Sequence, residues 1–187
     1  MPTRCGWAKT DLLIEYHDKE WGLPLHDDRA FFEFLILEGA QAGLSWEIIL
    51  KKRENYRQAF DQFDAAKIAR YNARKVATLL SNPGIIRNPL KVKSAVSNAV
   101  AFLEIQREFG SFDDYVWRFM DGLPLKRKRG DAMASRTPIS DTLSKDLRKR
   151  GFKFVGTTIC YSFMQAVGMV NDHDPGCFRY REVGRRV

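Results

Sequence analysis

The stretch from Glu38 to Trp46 constrains the fold more than any other part of the sequence. The strongly apolar run over residues 31–37 predicts a buried helix, and Ser45 is a good N-cap for a second, amphipathic helix. Glycines 39 and 43 predict a turn between these helices, with a carboxylate at its head. We expect that carboxylate to be at least half buried, which is costly for a charge without a partner.

Two interpretations of this stretch are open. A carboxylate, the amide of Gln41 and the flat face of Trp46 on one flexible turn suit a flat heterocycle that forms hydrogen bonds. Alternatively, the stretch is an ordinary corner between helices, with Glu38 on its rim and Trp46 in the core.

Bulk properties narrow the class of protein. A chain of 187 residues with 44% hydrophobic and 29% charged residues predicts one globular domain, or one with a small appendage. No apolar run reaches the roughly 18 residues of a membrane span, and residues 1–11 lack the apolar core of a signal peptide, so we expect a cytoplasmic protein. The net charge of +8 favours a polyanionic partner, nucleic acid first, although many basic proteins bind none.

The cysteines and histidines lie mostly in two pairs. Cys5 precedes His17 by twelve positions, and His173 precedes Cys177 by four, across a Pro-Gly turn. Two thiolates and two imidazoles are a common donor set for structural zinc, and such an ion would join the two ends of the chain. The alternative is two unrelated surface pairs. We interpret Cys160 as a small core residue and His26 as a surface residue.

The periodicity predicts an all-α fold without strands. Asp27 or Asp28, Ser45, Asp64, Asn72, Asn88 and Ser140 are the expected N-caps. The predicted helices span residues 28–37, 45–60, 65–71, 73–80, 89–109, 112–120, 141–150 and 156–167.

The segment 72–109 has the pattern of a helix–hairpin–helix. A glycine-containing hairpin leading into a helix N-terminus presents backbone N–H groups to an anion such as a DNA phosphate. Gly84, Ile85, Arg87 and Lys91 are the candidate phosphate contacts. An ordinary helical hairpin is the alternative.

Two basic segments are predicted to lack regular structure. Residues 123–138 include the run Lys126-Arg127-Lys128-Arg129, which we interpret as a mobile, solvated loop that adds nonspecific attraction to phosphate. The tail after Cys177 is expected to fray.

Several short motifs together resemble the DNA-3-methyladenine glycosylase I family, the constitutive bacterial branch of the helix–hairpin–helix DNA glycosylase superfamily. The resemblance runs from Cys5 to Cys177, and the combination is specific although each motif alone is weak. The motifs are Cys5-Gly6-Trp7, Tyr16-His17-Asp18, Glu20-Trp21-Gly22, Leu37-Glu38-Gly39, Gln41-Ala42-Gly43-Leu44-Ser45-Trp46, Lys51-Lys52-Arg53, Gly84-Ile85-Ile86-Arg87, Gly151-Phe152-Lys153-Phe154-Val155-Gly156 and Asn171-Asp172-His173.

The resemblance implies an all-α helix–hairpin–helix bundle that forms a single glycosylase domain over residues 1–187. It implies one structural zinc that joins the N- and C-terminal segments. The expected partner is double-stranded DNA with alkylated bases, and the expected state is a monomer without an obligate protein partner. The implied zinc ligands are Cys5, His17, His173 and Cys177.

The implied activity is base-excision repair: hydrolysis of the N-glycosidic bond of 3-methyladenine, which leaves an abasic site. The damaged base would be flipped into a pocket. There Glu38 is the implied catalytic group, Tyr16 and Trp46 would stack on the base, and Gly43 and Leu44 would enter the DNA gap. Trp21, Gln41 and Ser162 complete the implied pocket. No lysine is placed as a Schiff-base nucleophile, so we expect no strand cleavage.

The sequence departs from the family pattern at a few positions. Leu13 stands where the family often has a tyrosine, Ile86 where many such hairpins have a second glycine, and Pro89 where a basic residue is usual. The loss of one stacking surface at Leu13 leaves open a zinc-stabilised protein that binds damaged DNA without cutting it. A purely structural helical domain with a metal clip is a third possibility.

Overall fold

The computed structural model describes residues 2–120, 124–126 and 133–183, and this part of the chain is mostly helical. Two short segments, β1 and β2, pair in parallel, with Leu125 opposite Val170. Single 3-10 turns span Asp61–Phe63 and Arg118–Met120. The elements are α1 (Asp11–Lys19), α2 (Asp28–Gln41), α3 (Trp46–Ala59), α4 (Ala65–Ile68), α5 (Ala73–Ser81), α6 (Pro89–Phe109), α7 (Phe112–Trp117), β1 (Leu125–Lys126), α8 (Pro138–Lys149), α9 (Thr157–Ala166), β2 (Val170–Asn171) and α10 (Phe178–Val183).

Side-chain N-caps set most of the helix starts, because each satisfies a backbone N–H that the first helical turn leaves without a partner. Asp27, Ser45, Asp64, Asn72 and Asn88 all accept such bonds, as the sequence predicts. Ser140 is the exception. Thr137 caps α8, and Ser140 lies one turn in and completes a capping box, so α8 begins three residues earlier than predicted.

Helix α2 is the centre of the fold. Ten consecutive residues of it, 31–40, are buried, and it packs against α3, α6, α7 and α9. A helix buried on all sides is apolar around its whole circumference, which is why its sequence shows little amphipathic pattern. At its start, the Asp28 carboxylate accepts the backbone N–H groups of Phe112 (2.8 Å) and Asp113 (2.9 Å), which fixes α7 against it.

The end of α2 differs from the prediction. The helix continues to Gln41, so Glu38 and Gly39 lie in its last turn and the connecting turn is confined to residues 42–45. Gly39 is needed for packing: a Cβ at that position would lie 3.2 Å from the Cβ of Phe154. The position therefore favours glycine because another segment crosses close to it.

Other expectations fail at local elements. The expectation of no strands is wrong for β1 and β2, and α4 ends at Ile68 instead of residue 71. The expectation of a frayed tail is wrong for 178–183, where α10 forms and the Arg179 guanidinium donates to the Asp18 carbonyl. Helix α1, which carries Tyr16 and His17, was not predicted. The basic residues 127–129 lie outside the described residues. None of the helices in the described ranges is long and apolar enough to cross a membrane.

Candidate functional site

A cavity of about 430 Å³ opens between α1, α2, α3 and α9. It collects side chains far apart in the sequence, and every pocket residue expected from the sequence lies on its wall. These residues are Tyr16, Trp21, Glu38, Gln41, Trp46 and Ser162.

Glu38 is the most constrained group in this cavity. The residue is 4% exposed, and its Oε2 atom has no hydrogen-bond partner among the described residues. Burial raises the pKa of the Glu38 carboxyl to about 8. The cavity therefore contains a carboxyl group that is ready to accept a hydrogen bond and is poised to ionise beside a cation.

Aromatic rings form the rest of the wall. The rings of Tyr16 and Trp46 lie 5.5 Å apart between centroids at 49°, and the edge-on pair Trp7 and Trp21 lies 5.0 Å apart. Burial and the nearby Glu38 carboxylate raise the pKa of the Tyr16 hydroxyl well above its ordinary value, so that hydroxyl stays protonated. Together the rings make flat surfaces beside one carboxyl group.

An ion-pair network braces three of the helical segments behind this wall. Arg53 of α3 donates to Glu20, which follows α1 (2.6 Å), and to Glu33 of α2 (2.5 Å). Arg53 is itself only slightly exposed, and its guanidinium lies over the ring of Phe34 at 5.2 Å. Because each ion in the network has a partner, the charges can be retained at low exposure.

Several wall residues were missed by the sequence analysis. Trp7 and Gln165 are examples: neither is among the pocket residues that the family resemblance implies. Gln165 lies one turn after Ser162, and its amide donates to Asp172 Oδ2 at 2.7 Å, which holds it in place. The full set of missed residues is Trp7, Ser45, Glu47, Met133 and Gln165, and Leu13 also lies on the wall, where the sequence predicts the loss of a stacking surface.

The turn after α2 projects from the mouth of the cavity. Gly43 is exposed and adopts a φ of +81°, a left-handed conformation that favours glycine. Leu44 is 37% exposed, so its apolar side chain is accessible next to Gly43. The Lys91 ammonium donates to the carbonyl oxygens of Ala40 (2.8 Å) and Ala42 (2.7 Å) at the base of this turn.

The two Cys/His pairs meet in a single buried cluster. The ligand atoms of Cys5, His17, His173 and Cys177 all lie within 4.8 Å of one another. The Sγ–N separations are 3.3 Å from Cys177 to His17 and 3.5 Å from Cys5 to His173. A tetrahedral ion with ordinary Zn–S and Zn–N bonds places such atoms about 3.6 Å apart, so the cluster fits a metal ion of that type.

Outer contacts orient both imidazoles. His17 Nδ1 lies 2.8 Å from the Asp18 carboxylate, which Arg4 also binds, and His173 Nε2 lies 3.1 Å from the Trp21 carbonyl oxygen. In each ring the other nitrogen therefore faces the cluster. This is the arrangement found around protein metal ligands, where the outer partner fixes the imidazole tautomer.

The hairpin between α5 and α6 uses some of its backbone donors within the protein. The Gly84 N–H donates to Asn82 Oδ1 (2.8 Å), the Ile86 N–H donates to the Tyr56 hydroxyl (3.1 Å), and Ile85 is 2% exposed. The Gly84 N–H is therefore satisfied within the hairpin and the Ile86 N–H by Tyr56 of α3, whereas the role of Gly84, Ile85, Arg87 and Lys91 as phosphate contacts stays a prediction. The Lys91 ammonium is also engaged within the protein, whereas Arg87 is exposed.

A second helical hairpin, formed by α8, residues 150–156 and α9, has the opposite character. No side chain caps the N-terminus of α9, whose N-cap is Gly156, so its first-turn N–H groups remain available. Four exposed cations lie on the same hairpin, and surface hollows lined by Arg148 flank it. The cations are Lys145, Arg148, Lys149 and Lys153. Residues 151–156 carry part of the family resemblance, but the sequence did not predict an anion site there.

Comparison with known proteins gives a consistent result. The family model described as methyladenine glycosylase matches residues 7–180. The chain is 50% identical over 180 residues to DNA-3-methyladenine glycosylase 1 of Escherichia coli (strain K12), covering 95% of this chain and 96% of that protein.

Solved structures agree with the sequence matches. A crystal structure of 3-methyladenine DNA glycosylase I superimposes with a TM-score of 0.91 at 53% identity, covering 94% of this chain and 98% of that one. A further 3-methyladenine DNA glycosylase I, solved as a variant in complex with 3-methyladenine, gives a TM-score of 0.90 at 35% identity, covering 94% and 96%.

Proposed function

The chain belongs to the methyladenine glycosylase family, and we propose that it excises 3-methyladenine from alkylated DNA by hydrolysing the N-glycosidic bond of a base flipped into the cavity described above. The observation that carries this proposal is the buried Glu38 carboxyl group on the aromatic wall, whose Oε2 atom has no hydrogen-bond partner in the described part of the chain. A duplex conceals its bases, so the enzyme must extrude the nucleotide first.

Glu38 supplies the selective contact. Methylation at N3 makes the base cationic within DNA and weakens the sugar bond, so the base is already a good leaving group. A cation entering the cavity favours the ionised form of the Glu38 carboxyl, which then accepts a hydrogen bond from the exocyclic amine. A neutral purine offers no such compensation for ionising a buried carboxyl, so the same group discriminates against undamaged DNA.

The aromatic wall supplies the rest of the binding free energy. Tyr16 and Trp46 offer ring faces for stacking, and each complete base–aromatic contact contributes roughly 1–3 kcal/mol. Trp21, Gln41 and Ser162 complete the lining. No lysine lies on the described wall of this cavity, which supports a monofunctional hydrolase that leaves an abasic site without strand cleavage.

DNA binding follows from two surfaces. The exposed Leu44 on its glycine-flexed turn enters the gap left by the flipped nucleotide, as apolar wedges do in other DNA-binding proteins. The α8–α9 hairpin, with Arg148 and Lys153 beside the uncapped start of α9, binds a backbone phosphate. These features support α8–α9 as the proposed phosphate-binding hairpin, while Arg87 on the α5–α6 hairpin is a separate candidate.

The metal proposed for the Cys/His cluster is one structural zinc ion. Burial raises the pKa of the Cys5 thiol in the absence of a cation, so a metal ion is what makes a buried thiolate favourable. All four ligand positions belong to the protein, so the ion has no open position for substrate and acts on stability alone.

Glu38→Gln tests the catalytic proposal, because it keeps the size of the side chain and removes its charge. We expect the single-turnover rate of base release to fall about tenfold to hundredfold, the value of one hydrogen bond to a charged group. Chromatography of the bases released from methylated DNA measures this rate. Glu104→Gln, an exposed carboxylate on α6, is the matched control and should behave as the parent.

Equal release by the parent and Glu38→Gln would remove Glu38 from this role. If the parent binds abasic DNA and releases no base, the chain is a lesion-binding protein instead of a glycosylase.

Cys177→Ala tests the metal. We expect less than one zinc ion per chain by elemental analysis and a lower Tm, because the two chain ends lose their link. Cys160→Ala is the control, since that thiol is equally buried but lies outside the cluster, and it should keep the metal. A parent protein that is fully stable without metal would refute the proposed ligand set.

Replacing both Arg148 and Lys153 by alanine tests the phosphate contact. We expect weaker binding to duplex DNA and a salt dependence of log K shallower by about two, with unchanged binding of free 3-methyladenine. Replacing Lys67 and Arg70, two exposed cations near α4, removes the same charge elsewhere. If both double variants lose affinity equally, the α8–α9 hairpin has no special contact with DNA.

A further inference from the structure

Lys91 occupies a position where its charge is unexpected. It lies in the first turn of α6, after the N-cap Asn88 and Pro89, where the helix dipole disfavours a cation. Its side chain reaches instead to the other end of another helix. There the ammonium donates to two carbonyl oxygens of the α2 terminus, those of Ala40 and Ala42.

The end of α2 has one bond of its own, from the Leu44 N–H to the Gln41 carbonyl oxygen (2.6 Å), and needs other partners for its remaining carbonyls. No basic residue lies in its last turn, and Ala42 leaves the helix with φ −44° and ψ 114°. The last carbonyls of a helix have no partner within it, and they carry partial negative charge. Lys91 supplies both a hydrogen-bond donor and a positive charge at this end, across a sequence separation of about fifty residues.

The two carbonyls lie at a functionally important point. Ala40 follows the buried Glu38 and Gly39 within α2, and Ala42 begins the turn that carries Gly43 and Leu44. Gly43 is exposed and a Cβ there would meet no atom within 4 Å, so packing does little to hold the tip of the turn. The Lys91 bonds are therefore a strong constraint on where the turn leaves the core.

We propose that Lys91 is a positioning residue, which fixes the base of the turn at residues 42–45 so that Leu44 enters the DNA gap while Glu38 faces the flipped base. This inference rests on the wedge proposed for Leu44. It assigns Lys91 a role distinct from the phosphate contact that its charge and sequence position suggest, because two of its three N–H donors are used within the protein.

Lys91→Met tests this role, because methionine keeps the aliphatic length and removes the donors and the charge. Lys93→Met is the matched control: it removes the same charge from an exposed position two residues along α6. The probe is a duplex with a stable abasic-site analogue beside 2-aminopurine, whose fluorescence rises when a wedge unstacks it. Leu44→Ala reports the loss of the wedge itself.

We expect the parent and Lys93→Met to give a full fluorescence rise, and Leu44→Ala to give almost none. Lys91→Met should need about tenfold more protein for the same rise, since bonds from a charged donor are lost. All four proteins should bind free 3-methyladenine equally, which shows that the fold and the cavity are intact.

Other outcomes would overturn the inference. A parent-like response from Lys91→Met would show that the turn holds its place without these bonds. Equal small losses in the two lysine variants would reduce Lys91 to an ordinary charge contact. Loss of free-base binding in Lys91→Met would show a general structural role. A parent that gives no rise would refute the wedge and the positioning role together, whereas base release from methylated DNA would still report on the proposed reaction.

Discussion

The structure depends on the cost of burying one carboxyl group, which is 4% exposed on the wall of a cavity. Glu38 follows the most apolar segment of the chain, and the helix that carries it is buried on all sides. A buried polar group without a partner destabilises a fold by several kcal/mol at most sites, so such groups are rare outside functional sites. In the proposed function the same cost provides selectivity, because a cationic, hydrogen-bonding ligand removes it and a neutral one does not.

The Cys/His cluster and the cavity are built from neighbouring residues. Tyr16 and His17 are consecutive on α1, one facing the cavity and the other facing the cluster, and Trp7 follows Cys5 closely. The Trp21 ring lines the cavity, packs edge-on against His173 at 4.6 Å, and its carbonyl oxygen lies beside that imidazole. A cluster that joins the two ends of the chain therefore also holds one wall of the pocket in place.

Local sequence signals predict many of the helix starts. Cap residues such as Ser45 and Asn88 act within a single turn, so they predict helix starts directly. The end of α2 was mispredicted because a glycine such as Gly39 normally suggests a turn. Here the close approach of Phe154 explains why a glycine lies within the helix. Gln165 was missed, and the carbonyl partners of Lys91 were not foreseen, for a related reason: Asp172 and the α2 terminus are tertiary neighbours that no local pattern identifies. The same holds for the two hairpins. In the folded chain the N–H groups of Gly84 and Ile86 on the α5–α6 hairpin have partners, whereas the described residues give the start of α9 no side-chain cap.

The ionisation of Glu38 is the most direct test of the account. Carbon-13 labelling of the glutamate carboxyls, with Glu38→Gln to assign the signal, gives its pKa by NMR titration of the folded protein. We expect a midpoint of about 8. The folded state then holds this proton more tightly than the unfolded chain, so the contribution of Glu38 to stability is fully present below the ordinary carboxyl pKa and falls by up to about 5 kcal/mol as the pH rises to 8. A midpoint near 4.5, the ordinary value for glutamate, would show a solvated carboxylate and contradict the account.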